Sequence, residues 1–202
     1  MRMTSGLLVC ALMLMGASSV VADEKSGTDA EGFIQQWLVL APIPLKDGED
    51  GAAGLGREAI ADEAKLKPKA GDKVKAGDRE LGWKAHVAKS FFVDFNAILG
   101  AQTEDAIGYA VTYITVADDM TVKMKTGSDD QCKVWLNGKE VLKVTDARPS
   151  EKDQDTTEVT LKKGVNVLVA KVVNEKIDWQ FCVRFVDKDD KPVAGLMAKA
   201  SE

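Results

Sequence analysis

After Leu81 the sequence becomes a succession of short β-forming runs closed by polar turns, and no stretch beyond it carries the 3.6-residue apolar period of an ordinary helix. Trp83, Ala85 and Val87 alternate with polar residues, and residues 91–95 follow. Residues 109–116 are almost entirely β-formers, and Met120, Val122 and Met124 alternate with Thr121, Lys123 and Lys125. Residues 132–136 and 139–144 flank Asn137-Gly138, which supplies the two positive-φ positions of a type I′ hairpin turn. Gly127-Ser128-Asp129-Asp130 reads as a turn of its own. The runs 157–161, 165–173 and 179–186 complete the series. Strands at this spacing without helices between them do not build βαβ units. The expected fold class is all-β, an antiparallel two-sheet β-sandwich of jelly-roll kind.

The first eighty residues are organised differently. Arg2, an apolar run from Leu7 to Met15, and Val20-Val21-Ala22 before Asp23-Glu24-Lys25 have the order of a secretory signal peptide, with cleavage expected after Ala22. The apolar run is shorter than the roughly 20 residues that cross a bilayer, so no membrane span is expected after cleavage. The chain is therefore expected to be secreted or periplasmic. Residues 23–32 are a polar lead-in, expected to be flexible. Residues 33–40 form the expected first strand, stopped by Ala41-Pro42-Ile43-Pro44, because proline has no N–H to give to a ladder. Residues 46–78 are rich in Gly, Ala, Lys and Asp and form a long N-terminal loop, with at most one short helix near residues 57–66. The expected division is a signal peptide at 1–22, the lead-in, one β-sandwich domain at 33–187, and a C-terminal tail at 188–202.

Composition excludes several chemistries. With 27 Lys+Arg against 32 Asp+Glu, a net charge of −5 and no basic cluster, the chain lacks the surface that binds nucleic acid. One His and three Cys leave few parts for a His/Cys metal centre or a His-activated nucleophile. His86 stands on the polar side of a strand with no nucleophile motif beside it, and no Gly-rich phosphate loop or serine elbow is present. No catalytic residues are assigned, and the chain is expected not to be an enzyme. Cys132 shares a strand face with Val134 and Leu136, whereas Cys182 lies opposite the apolar face of Phe181, Val183 and Phe185. That alternation opposes a disulfide which an oxidising compartment would otherwise permit.

The order Gly108-Tyr109-Ala110-Val111-Thr112-Tyr113, Gly127-Ser128-Asp129-Asp130, Val134-Trp135-Leu136-Asn137-Gly138-Lys139 and Leu161-Lys162-Lys163-Gly164-Val165-Asn166 resembles galactose-binding-like and protective-antigen-type sugar-binding β-sandwich modules of secreted bacterial proteins. The resemblance covers residues 106–185. It implies that Asp129 and Asp130, joined by a cis peptide, hold a calcium ion that also binds sugar hydroxyls. Calcium takes six to eight oxygens, so Asn137, Asp153 and Asp155 are candidate further donors. The plainer reading of the same pair is a turn whose carboxylates bond neighbouring backbone N–H groups.

A sugar site also needs an aromatic face. Alternation assigns Trp37 and Trp179 to the core, and Trp135 to the polar face shared with Lys133 and Asn137, either open as a ligand platform or covered by the 46–78 loop. Arg148 and Arg184 are candidate carboxylate partners. The expected ligand-binding residues are Asp129, Asp130, Trp135 and Asn137, with Asp129 and Asp130 also the metal candidates. Calcium is the one cofactor left open. The expected function is a non-enzymatic binding module for a glycan or a cell-surface protein, with a structural protein–protein module as the alternative and a glycoside hydrolase behind both.

Overall fold

The computed structural model describes residues 26–202, so the expected signal segment lies outside the described residues. Strand β1 (Gln36–Pro44) is followed by helix α1 (Gly51–Gly56), a 3₁₀ turn (Glu63–Lys65), the hairpin of β2 (Lys73–Ala76) and β3 (Arg79–Gly82), strands β4 (Lys84–Val87) and β5 (Val93–Asp94), and helix α2 (Phe95–Leu99). The rest is strand: β6 (Ala106–Val116), β7 (Met120–Asp129), β8 (Cys132–Leu136), β9 (Lys139–Val144), β10 (Asp155–Leu161), β11 (Gly164–Asn174), β12 (Gln180–Val186) and β13 (Met197–Lys199). A seven-stranded sheet runs β4-β1-β6-β11-β8-β9, with β13 also paired to β6. A four-stranded sheet runs β10-β7-β12-β5. Pairing is antiparallel throughout, which makes the chain the all-β sandwich its strand pattern predicts.

Two apolar cores follow from strand alternation. Between the sheets lie Trp37, Val39, Ala110, Ile114, Cys132, Val134, Leu168, Val172, Trp179, Phe181, Val183 and Phe185. The opposite face of the seven-stranded sheet is apolar too, carrying Leu38, Leu40, Tyr109, Val111, Tyr113, Trp135, Val167, Val169 and Val173. Leu55, Ala59, Ile60, Ala76 and Trp83 from residues 51–83 cover it. β6 is accordingly buried along nearly its whole length. The 46–78 segment is thus a third layer rather than a surface excursion. Its α-helix lies at Gly51–Gly56, capped by the Asp50 carboxylate accepting from Ala53 N, and residues 57–66 hold only the 3₁₀ turn. A second helix, α2, starts at its Asp94 cap and stops at Gly100 in the left-handed region, so the structure has one short helix more than the sequence pattern suggests.

This overlay is pinned by a buried cation. The Lys171 side chain is fully buried, and its ammonium donates to the Leu55 carbonyl at 3.1 Å, to the Arg57 carbonyl, and to Glu63 Oε2 at 3.1 Å. The Tyr109 hydroxyl donates to the same Glu63 oxygen. Burial pulls the Lys171 ammonium below its usual range and pushes the Tyr109 phenol well above its own, with the Glu63 charge adding to the latter.

Three further segments depart from the sequence expectation. β1 continues through Pro42 and Pro44, because its register shifts between Leu40 and Ile43 and β4 pairs with it only as far as Val39. The prolines therefore sit where few ladder N–H groups are required. The expected flexible lead-in is hydrogen-bonded where it is described: Gln35 N donates to Gly27 O at 2.9 Å, and Ala198 N to Ser26 O at 2.7 Å. The tail supplies β13, with Leu196 and Ala198 buried. Cys132 and Cys182 are both free and buried, one between the sheets and the other on the outer side of the small sheet.

Glu63→Ala should cost about 3–5 kcal/mol, because it leaves the buried Lys171 charge without its counterion. Urea denaturation measures the loss, and replacing the pair together by Lys171→Met and Glu63→Leu should cost much less.

Candidate functional site

The two aspartates stand where β7 hands over to β8. The expected turn at 127–130 is instead largely strand, because Gly127, Ser128 and Asp129 pair with Cys182, Phe181 and Gln180 of β12. Only Asp130 and Gln131 form the connection, and both are tied to β11: Asp130 N donates to Val173 O at 3.0 Å and Val173 N to Gln131 O at 2.9 Å. The Asp129–Asp130 peptide is cis, the arrangement the resemblance implies.

Residues 146–155 form a strap across the outer side of β7 and β12. Gly127 is required beneath it, since a Cβ there would lie 1.8 Å from the Glu151 carbonyl oxygen. Arg148 pairs with Asp155, and Arg184 with Asp153, which Lys125 also approaches at 3.8 Å. The Lys152 ammonium sits 2.8 Å from Glu31 and 4.2 Å from the Phe91 ring centroid. Ser128 N donates to Gln154 Oε1 at 3.1 Å. Both arginines thus meet carboxylates of this chain.

Under the strap, Asp129 and Asp130 are 8% and 9% exposed. Asp130 Oδ2 accepts from Glu175 N at 2.8 Å, and its carboxylate also receives the backbone N–H groups of Lys176 and Arg148. Asp129 receives the Ser150 N–H. No Lys or Arg forms an ion pair with either carboxylate among the described residues. Burial, then the charges of Asp130 and Asp178, push the Asp129 carboxyl up to about 6. Burial raises Asp130 as well, against the pull of its backbone donors. Glu175 ties the site to the overlay, its Oε1 accepting from Gly51 N at 3.0 Å and from Gln131 Nε2 at 2.9 Å.

The other expected site residues do not join this pair. Asn137 holds the hairpin turn, with φ 52° and Gly138 at 82°. Its side chain donates to Asn166 Oδ1 at 2.8 Å and accepts from Val167 N at 2.9 Å. It stands at the far end of β8, about 17 Å from Cys132 at the usual rise per residue. Trp135 is 5% exposed within the second core, so the covered alternative holds and the open platform does not. Polar neighbours along β8 marked a second face correctly, but the overlay lies on that face. Trp37, Trp83 and Trp179 are buried as well. His86 is half-buried on the edge strand β4, its pKa lowered by burial and by Lys89.

Two carboxylates offer at most four oxygens, and calcium takes six to eight. Asp153 and Asp155 are held by arginines, Asn137 is remote, and no group of three or more His, Cys, Asp or Glu side chains is arranged to hold a metal among the described residues. The side chains present do not by themselves make up a calcium cage. What the pair does offer is several acceptor oxygens free of cationic partners, beside Gln180 and Asp178. These neighbours carried no sequence signal, because only the β7–β12 register brings them alongside.

No family model and no curated protein matches the chain. Among solved structures it is similar to a β-glucosidase from Kluyveromyces marxianus in complex with glucose, at 13% identity and a TM-score of 0.34, over 71% of this chain and 18% of that one. The chain thus spans about a fifth of that enzyme's length. No helix among the described residues is long and apolar enough to cross a membrane.

Trp135→Ala should lower stability by about 3–5 kcal/mol in chemical denaturation, the cost of a cavity in a closed core. Asp129 has its folded pKa raised above its unfolded value, so its contribution to stability is full below about pH 4 and is lost as pH rises through about 6. Asp129→Asn should therefore be more stable than the parent at pH 7 and equal to it near pH 4, as thermal melts across that range would show.

Proposed function

We propose that this chain is an exported, non-enzymatic binding module for a glycan or a cell-surface component, with the Asp129–Asp130 loop as its contact site. The observation that carries this is the pair of adjacent, nine-tenths buried carboxylates with no cationic side chain in reach, among the described residues, to neutralise them. A structural carboxylate is normally placed beside an arginine or lysine, as Asp153 and Asp155 are here. An unneutralised pair costs stability, and sugar hydroxyls, which donate hydrogen bonds to carboxylates, would recover part of that cost. Gln180, next to Asp129 in the register, adds an amide that both donates and accepts. The signal-peptide order at residues 1–22 supports export, and the strand order over 106–185 supports the likeness to sugar-binding sandwiches.

A second reading has its own observation. β4 is an edge strand of the large sheet and carries Val87 at 61% exposure, which suits pairing with another protein's strand. Under that reading the acidic pair plays no part in binding.

Asp129→Asn together with Asp130→Asn separates the two. In the double variant each amide oxygen still accepts backbone N–H groups, though one oxygen cannot take all three that Asp130 receives, and two buried charges are gone; its melting temperature should change little, while its signal on a glycan array should fall to background. The array run with and without a calcium chelator should give the same pattern, since the site's side chains do not by themselves make up a calcium cage. Retained array binding by the double variant would leave the pair as a turn and favour the edge strand.

A further inference from the structure

On the overlay-covered face of the large sheet, Lys133 and Lys171 face one another across β8 and β11. Like charges directly opposite in a sheet are unfavourable, and each needs its own compensation. Lys171 has it in Glu63 and two carbonyls. Lys133 does not. The residue is 7% exposed, its ammonium lies 3.9 Å from the half-exposed Glu140, beyond hydrogen-bond reach, and 5.3 Å from the Trp135 ring centroid. It donates to no acceptor among the described residues. The side chain is largely buried while its ammonium opens onto the adjoining cavity, so its three N–H donors are available to a group bound there.

Lys133 and Trp135 line an open pocket of about 290 Å³, whose other walls are Glu58, Asp62 and the 3₁₀ turn residues Glu63 and Lys65. Glu63 is engaged by Lys171 and Tyr109, whereas Glu58 and Asp62 are exposed at the rim. A ligand anion would meet the two rim acids, and a ligand cation would meet Lys133. A neutral ring of hydroxyls satisfies both, because each hydroxyl accepts from an ammonium and donates to a carboxylate. The volume stands at the low end for small-molecule sites, which fits one ring and not a chain. We propose that this cavity binds a single neutral, hydroxyl-rich ring, one monosaccharide unit, with Lys133 donating to a ring or hydroxyl oxygen and Glu58 and Asp62 accepting at the rim. This site is separate from the Asp129–Asp130 pair and does not rest on it.

Titrating the full chain with methyl glucoside and following the Trp135 indole N–H by NMR, assigned with Trp135→Phe, tests the proposal. A saturable shift is expected. In Lys133→Met the affinity should fall roughly tenfold or more, the loss of a charge-assisted hydrogen bond, while the melting temperature holds because the ammonium makes no hydrogen bond within the described residues. Asp62→Asn, at an exposed position, should weaken binding without moving stability. The Asp129→Asn, Asp130→Asn double variant should bind methyl glucoside as the parent does. The proposal is overturned by the absence of a saturable shift, by binding that survives Lys133→Met while stability drops, by a response to glucuronate or methylammonium but not to methyl glucoside, or by loss of the shift in the double aspartate variant.

Discussion

A sheet whose strands are apolar on both faces has to be covered on both, and in this chain that requirement decides where nearly everything else goes. β6 and β11 present Ala110, Ile114, Leu168 and Val172 to one side and Tyr109, Val111, Val169 and Val173 to the other. Each residue on either side contributes only if water is excluded from it. The four-stranded sheet covers the first side with regular structure. The second side is covered by residues 51–83, which have little regular structure and therefore gain little from ladder hydrogen bonds. Their position depends on side-chain anchors, chiefly Leu55, Ile60 and Trp83 in the apolar layer and the Lys171 ammonium, which gathers two carbonyls and Glu63 from the overlay onto one point of the sheet.

The strand pattern was legible because period-two alternation survives wherever one face differs from the other. It placed Trp37 and Trp179 in the core, set Cys132 and Cys182 on different faces, and located the Asn137-Gly138 hairpin. It failed where the information lies in long-range pairing. Lys133, Trp135 and Asn137 read as a polar face, which is true of the strand but says nothing about what rests on that face. Leu196 and Ala198 are too short an alternation to announce β13, and Val74 and Leu81 too sparse to announce the β2–β3 hairpin.

The acidic pair was legible as residues and not as a site. Two adjacent aspartates after a Gly-Ser step read most plainly as a turn, with a ligand contact as the other reading. Their burial comes from a strap, residues 146–155, whose anchors Arg148 and Arg184 stand about twenty or more residues away along the chain. The donors that satisfy the carboxylates are the backbone N–H groups of Arg148, Ser150, Glu175 and Lys176, which no side-chain pattern encodes. The candidate donors Asp153 and Asp155, which no sequence signal places beside the pair, give their oxygens to the strap's ion pairs.

The glycine beneath the strap has one more consequence. Because Gly127 brings the Glu151 carbonyl down onto β7, that carbonyl also covers Cys182, whose sulfur lies 4.0 Å from it. The thiol is 1% exposed, and burial pushes its pKa up to about 12, so it is inert while the strap is seated. Cys182 is thereby a native gauge of strap position: alkylation of this thiol in the folded protein counts the fraction of molecules in which the strap has lifted off the acidic pair.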